Sequence, residues 1–225
     1  MRVIAIGDIH GCSRALDALL EAVDLQLGDT LVTLGDYVDK GPDSKGVLER
    51  LIALESREDV ALVPILGNHD QMMLEAYCGQ SGYWLAGYGR RTLASYDGGP
   101  DELSAVPDEH VAFLERCVEY YETEQHLFVH ANVDPDHALA ETPTYRLRWE
   151  KLHAESSRPH GSGKTLVCGH TSQKDGCVLN LGHAVCIDTY AYGGGWLTCL
   201  DVHANRLWQA NQAGAVQVRV LEECL

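Results

Sequence analysis

The chain has 225 residues, 45% of them hydrophobic, enough for one large core, and a single domain over residues 1–225 is expected. Its 33 acidic residues against 17 basic ones leave a formal charge of −16 spread along the chain, a field that repels phosphate backbones and argues against a nucleic-acid partner unless bound metal reverses it locally. No apolar run approaches the about 18 residues of a membrane span, and the N-terminus enters a strand pattern at once, so a soluble cytoplasmic protein with no membrane partner is expected.

Val3 to Ile6 reads as a buried strand, and Ser13 is placed to cap a helix whose apolar face is Ala15, Leu16, Leu19, Leu20 and Val23. The pattern recurs in "TLVTL" (30–34), the loop "GDYVDKGPDS" and a helix carrying Val47, Leu48, Leu51 and Ile52. It recurs again in "VALVPIL" (60–66), where Pro64 predicts an edge or irregular position, then "GNHD" and a helix through Met72, Met73 and Ala76. Strand, polar loop and helix three times over predict an α/β fold with a sheet covered by helices. "CGQSGYWLAGYGRR" (78–91) reads as a surface insertion, and Val111, Leu114, Val118 and Tyr121 predict a helix from about Asp108 to Glu122. "HLFV" (126–129) and "TLVC" (165–168) are further strands running into His130 and into Gly169-His170, with a short helix expected around "YRLRWEKL". Beyond Gly176, "CVLNL", "AVCID", "WLTCLDV", "RLWQA" and "VQVRVL" predict an antiparallel run of strands. Eight cysteines without a CxxC pair predict reduced thiols in the core rather than a disulfide framework.

Five strand ends thus deliver Asp8 with His10, Asp36 with Asp39, Asn68 with His69, His130, and His170. In open α/β sheets ligands gather at the carboxyl ends of strands, where all these residues fall. Carboxylates, imidazoles and an amide oxygen suit borderline-hard divalent metals such as Mn²⁺, Fe²⁺ or Zn²⁺ rather than an all-thiolate structural site. Singly, each cluster is as well explained by a turn or a hydrogen-bonded core histidine; together, each ends an apolar run and brings a metal-ligand residue type. "GSGK" (161–164) lacks the leading glycine of a phosphate loop and precedes a strand.

"GDIHG" (7–11), "GDYVDKG" (35–41), "GNHD" (67–70), "VHA" (129–131) and "GHT" (169–171), in this order, resemble the calcineurin-like metallophosphoesterases, most of all their bacterial-type phosphoprotein phosphatase branch. The resemblance implies a metallophosphoesterase-like β-sandwich of mixed sheets flanked by helices, with the active site at the strand C-terminal ends. It also implies two divalent ions, Mn²⁺ first, with iron, Zn²⁺ or Ni²⁺ as alternatives. By position, Asp8, His10 and Asp36 would hold the first metal, and Asp36, Asn68, His130 and His170 the second, with Asp36 bridging. A water or hydroxide between the ions would attack phosphorus, with His69 as general acid and Asp39 orienting it; the alternative is that both merely support their neighbours. Lys40 stands where eukaryotic-type members carry a phosphate-binding Arg. Arg148 is the choice for the second phosphate-binding residue, with Arg146 and Lys151 as rivals, against a surface ion pair of Arg148 with Glu150 or Glu155. Tyr192 and Trp196 are candidates for the substrate groove or for core. The function implied is hydrolysis of phosphoserine or phosphothreonine, with symmetrical dinucleoside tetraphosphate hydrolysis or another small phosphate ester as the alternative, and a non-catalytic metal-binding scaffold as the remote one.

Overall fold

The computed structural model describes residues 1–80, 82–99 and 101–221. Two mixed sheets lie at its centre. The first is assembled from β1 (Val3–Ile6), β2 (Asp29–Thr33), β3 (Val60–Pro64), β9 (Leu197–Asp201), β10 (Arg206–Ala210) and β11 (Val216–Val220), in the order β11-β10-β9-β1-β2-β3. The second holds β4 (Tyr120–Glu122), β5 (His126–Val129), β6 (Thr165–Cys168), β7 (Leu179–Asn180) and β8 (Ala184–Cys186), in the order β4-β5-β6-β8-β7. The helices are α1 (Ser13–Val23), α2 (Ser44–Glu55), α3 (Asn68–Tyr77), α4 (Gly82–Ala86), α5 (Gly89–Ala94), α6 (Asp108–Arg116) and α7 (Thr144–Trp149).

The two-residue period of a strand sorts side chains between faces. Ile4 and Ile6 of β1 point to a core shared with Leu16 and Leu19 of α1 and Leu48 and Leu51 of α2, while Ala5 points to the other face. There Ala5, Val32 and Leu200 of the first sheet meet Phe128, Val167 and Val185 of the second, the apolar filling between the sheets. A third cluster joins Leu127, Val129 and Leu166 to Leu147 of α7 on the outer face of the second sheet. Phe128 is fully buried in the inter-sheet layer. Phe128→Ala is expected to cost about 3–5 kcal/mol in a denaturant melt.

The structure differs from the sequence pattern in four places. Helix α6 stops at Arg116, because Val118 donates its N–H to Pro64 O and accepts from Leu66 N, and Tyr121 then pairs with Phe128 in β4. The apolar residues expected to extend a helix face serve strand pairing instead. Ser13 makes no cap; the Ala15 N–H near the start of α1 is satisfied by Gln212 Oε1 at 2.9 Å, 197 residues away. The C-terminal strands are not one antiparallel run: β8 joins β6 in parallel in the second sheet, whereas β9 pairs antiparallel with β1 and β10 and β11 extend the first sheet, each antiparallel to its neighbour. The described residues of 78–91 are not a mere surface insertion, since α4 buries Trp84, and α5, which begins at Gly89, goes on to bury Thr92. Pro64, by contrast, ends an edge strand as expected. The seven described cysteines are free thiols; Cys224 lies outside the described residues. Among the described residues no helix is long and apolar enough to cross a membrane.

Candidate metal centre and acid–base pair

Strands β1, β2 and β3 are parallel neighbours with Ile6 opposite Thr33 and Thr33 opposite Pro64, so three chain segments leave the sheet at one level. Strands β5 and β6, also parallel, bring His130 and His170 to the same rim from the second sheet. Glycines permit the approach: a Cβ on Gly67 would run into the backbone and carboxylate of Asp36, and one on Gly169 into the carboxylate of Asp8. His10, Asp36, Asp39, Lys40 and His170 all have φ between 45° and 70°, a left-handed conformation that non-glycine residues hold only where surrounding structure enforces it. The Asp70 carboxylate helps enforce it by accepting from Gly67 N at 3.0 Å, Tyr37 N at 2.9 Å and Val38 N at 3.3 Å, stapling two of the loops together.

Each imidazole is anchored through one nitrogen. His10 Nδ1 donates to Val38 O at 2.9 Å, His130 Nδ1 to Leu34 O at 2.7 Å, and His170 Nε2 to Trp149 O at 3.0 Å. The opposite nitrogens then turn bare lone pairs inward. His130 Nε2 and His170 Nδ1 each lie 3.0 Å from Asn68 Oδ1, and Asp36 Oδ1 is 3.5 Å from His130 Nε2. On the other side of Asp36, its Oδ2 is 3.3 Å from His10 Nε2, and Asp8 Oδ2 is 4.0 Å from the same nitrogen. Protonation does not relieve this convergence of acceptors: burial pushes His10 and His130 below the usual imidazole range, and burial together with neighbouring His130 brings His170 down to about 4. Burial, then Asp188 and Asp36, pushes the Asp8 carboxyl up, against the opposing pull of the His170 backbone N–H and Lys40. Converging lone pairs and crowded carboxylates are what divalent cations stabilise, and the nitrogen and oxygen donor set fits them. Two groups whose donor atoms lie within 4.8 Å of one another stand out among the described residues: His10, Asp36 and His69, and Asp36, His130 and His170. Asp36 belongs to both.

His69, at the first turn of α3, donates its backbone N–H to Asp36 Oδ1 at 2.9 Å, and its Nδ1 meets Asp39 Oδ2 at 2.7 Å. That leaves Nε2 on the His10 side, where the two rings meet edge to face at 4.8 Å. Asp39 is fully buried and well supplied with donors: Trp84 Nε1 at 3.0 Å and Thr92 Oγ1 at 2.7 Å. Tyr88, 41% exposed, stacks edge-on against His69 at 4.7 Å. The segment read as a surface insertion therefore holds the carboxylate that orients His69. Trp84→Phe keeps the buried ring and removes one donor to Asp39. A kcat loss of about tenfold is expected, of the size seen when a partner behind an active-site ligand is lost. KM should stay unchanged, and steady-state kinetics on an alkyl phosphate reads both.

These features coincide with a family match: residues 1–193 match the calcineurin-like phosphoesterases. The chain belongs to this family. A symmetrical bis(5'-nucleosyl)-tetraphosphatase of Janthinobacterium sp. (strain Marseille) is 35% identical over 145 residues, 63% of this chain and 47% of that protein. The enzyme of the same name from Acidovorax ebreus (strain TPSY) is 33% identical over 151 residues, 64% of this chain and 49% of that one. The matched stretch thus spans about half the length of these curated relatives. In fold, a cold-active protein-tyrosine phosphatase of a psychrophilic Shewanella superposes with a TM-score of 0.65 at 18% identity, covering 96% of this chain and 80% of that chain.

In this member of the family a cleft is lined by Asp36, Asn68, His69 and His170 together with Lys40, Lys151, Lys174 and Tyr192. Lys40 Nζ lies 2.9 Å from His10 Nε2 and 4.6 Å from the centre of the Tyr192 ring. The ammonium and a metal ion would compete for that nitrogen lone pair. Arg148 is placed elsewhere: it is 5% exposed and its guanidinium is held by Glu119 and by Gln71 Oε1 at 2.7 Å, so neither the phosphate role nor the pairing with Glu150 or Glu155 describes its contacts. Of its two rivals, Arg146 pairs with Asp134 and Glu150, and Lys151 reaches the cleft. Trp196 pairs with Tyr190 in a β-bridge and is not among the residues that line the cleft. Sequence reasoning passed over Asp70, Thr92, Asp188 and Lys174. Asp188 ends the apolar run "AVCID" as Asp8 and Asp36 end theirs, and that shared signal was available to find it.

Proposed function

We propose that this chain hydrolyses symmetrical dinucleoside tetraphosphates to two nucleoside diphosphates, one water being consumed for each phosphoanhydride bond broken. The observation that carries this reading is the trio Lys40, Lys151 and Lys174 lining one cleft of a protein whose formal charge is −16. A single phosphoryl group needs fewer cations than three ammonium groups spread along a channel, whereas a tetraphosphate chain spans them. The names of the curated relatives agree with this substrate. Asp39, a feature of the phosphoprotein phosphatase branch, does not favour phosphoserine or phosphothreonine here, since its partner is His69, whose role as acid serves either substrate.

Asp8, His10, Asp36, Asn68, His130 and His170 would hold two divalent ions, which when bound supply an activated water and neutralise charge on the attacked phosphoryl group. Within the chain, Asp39 holds His69 Nδ1–H, and the imidazolium form of His69 presents its Nε2–H to the departing phosphate oxygen. Lys151 and Lys174 bind and orient the phosphate chain.

With Mn²⁺ added, diadenosine tetraphosphate is expected to yield ADP at a kcat/KM at least about 100-fold above that for release of phosphate from a phosphothreonine peptide. Chromatography of the nucleotides and a phosphate assay read the two side by side. Fast release of phosphate from the peptide with an inert dinucleotide would return the chain to the protein phosphatase reading.

A further inference from the structure

A second cavity, of about 270 Å³, lies between residues 132–135, the loop after α7 and residues 152–160. Lys151 lines both this cavity and the catalytic cleft, so the two share a wall. Its placement relative to the acid is defined by the chain. Asn132, in the cavity wall, follows His130 by two residues, and Glu150 and Lys151 follow Trp149, whose carbonyl accepts from His170. The cavity therefore borders the His130–His170 end of the site, while His69 and Tyr88 stand at the His10 end, with Asp36 between.

A phosphomonoester has no substituent on phosphorus besides its leaving group and bare oxygens. A dinucleoside polyphosphate has one: the nucleoside phosphate that remains attached to the attacked phosphorus. In an in-line displacement the leaving half departs toward the acid, and the retained half must pass elsewhere. The cavity at the far end has the chemistry for its nucleoside. Val133, Pro135 and Leu152 offer apolar walls to a base, and the Glu150 carboxylate, which already accepts from Arg146 and the Asn132 amide, keeps further lone pairs for a ribose hydroxyl. The other cations of its lining are already paired, Arg146 with Asp134 and Glu150, and Arg158 with Asp136. Lys151 has no ion-pair partner among the described residues and lines both the cleft and the cavity, so it is placed to meet a phosphate chain that passes from one to the other. The volume lies just under the about 300–1,000 Å³ of drug-sized sites, which suits one nucleoside rather than two.

We propose that this cavity is the subsite for the nucleoside retained on the attacked phosphoryl group, an inference that rests on the dinucleotide reading above. Ser156, exposed on the loop that lines the cavity, allows an obstruction away from the metal-binding residues. Ser156→Trp is expected to raise KM for diadenosine tetraphosphate about tenfold or more while kcat/KM for 4-nitrophenyl phosphate stays at the parental value. Ser156→Ala should behave as the parent. His153→Trp, from another part of the lining, should repeat the selective effect. An unchanged KM for the dinucleotide in both Trp variants, or equal losses on both substrates in both, overturns the subsite. If the parent itself leaves the dinucleotide intact, the dinucleotide reading has failed, and calorimetric titration with ADP then decides the cavity. Binding that Ser156→Trp abolishes sustains it, and equal or absent binding in parent and variant overturns it.

Discussion

Asp36→Asn is expected to lower kcat on the order of 10³-fold or more, beyond the about 10–100-fold that removing a supporting partner behind a metal ligand costs. The reason is that Asp36 is the residue common to both donor groups. Its Oδ2 faces His10 Nε2 at 3.3 Å, and its Oδ1 faces His130 Nε2 at 3.5 Å while also accepting the His69 backbone N–H at 2.9 Å. An amide has the same shape but only one acceptor end. Whichever way it turns, an N–H₂ donor meets the backbone N–H of His69 and the lone pair of His130, or sits on the metal-facing side of His10, so one ion site is lost outright and the negative charge shared by both is gone. Turnover at saturating Mn²⁺ together with metal stoichiometry measured on the purified protein checks this. A variant with near-parental kcat and two bound ions per chain would show that Asp36 does not bridge.

His69→Asn is expected to slow hydrolysis of alkyl phosphates by roughly 10²–10⁴-fold, the range general acid catalysis supplies, and to slow 4-nitrophenyl phosphate far less. An alkoxide leaving group needs a proton in the transition state, whereas nitrophenolate is stable without one. Diadenosine tetraphosphate should fall between, since a nucleoside diphosphate leaves more readily than an alkoxide. The motive is geometric: Nδ1 is held by Asp39 at 2.7 Å, and Asp39 is itself fixed by Trp84 and Thr92, so the free nitrogen of His69 is aimed from a rigid support. Asn is isosteric enough at its backbone to retain the N–H bond to Asp36. Rates for a series of esters graded by leaving-group pKa give the test. Equal losses across the series would assign His69 to metal or phosphate binding, a role its membership of the donor group with His10 and Asp36 makes the direct competitor.

The two predictions draw on different layers of information. The apolar runs of β1, β2, β3, β5 and β6 and the polar residues that end them were legible in the sequence, because each strand needs only a local alternation or run and each loop begins where that run stops. Parallel pairing then brings such ends to one rim, so Asp8, His10, Asp36, Asn68, His130 and His170 could be gathered on paper before any coordinates. Helix α6 was over-extended for the converse reason. Val118 and Tyr121 fit a helical period, but Val118 is claimed by a bridge to Ile65, far away in sequence, and Tyr121 by a hairpin pairing with Phe128.

The role of residues 82–94 and the placement of the basic groups were likewise beyond the sequence. Trp84 is 45 residues from Asp39, and nothing in "GYWLAGYG" states that its indole N–H meets a buried carboxylate. Arg148 and Lys151 differ by three positions, about one helical turn. The chain leaves the helix after Trp149, so Arg148 turns back to Gln71 and Glu119 while Lys151 enters the cleft. By itself, then, the sequence carried the motifs of the family and the strand-end residues Asp8, His10, Asp36, Asp39, Asn68, His69, His130 and His170, because these are written as residue types where apolar runs stop; their division into metal ligands and an acid–base pair is what the resemblance implies. Only the tertiary structure decided which cations line the cleft, what holds Asp39, and that a second cavity adjoins the first, because each depends on side chains brought together from segments that no local period connects.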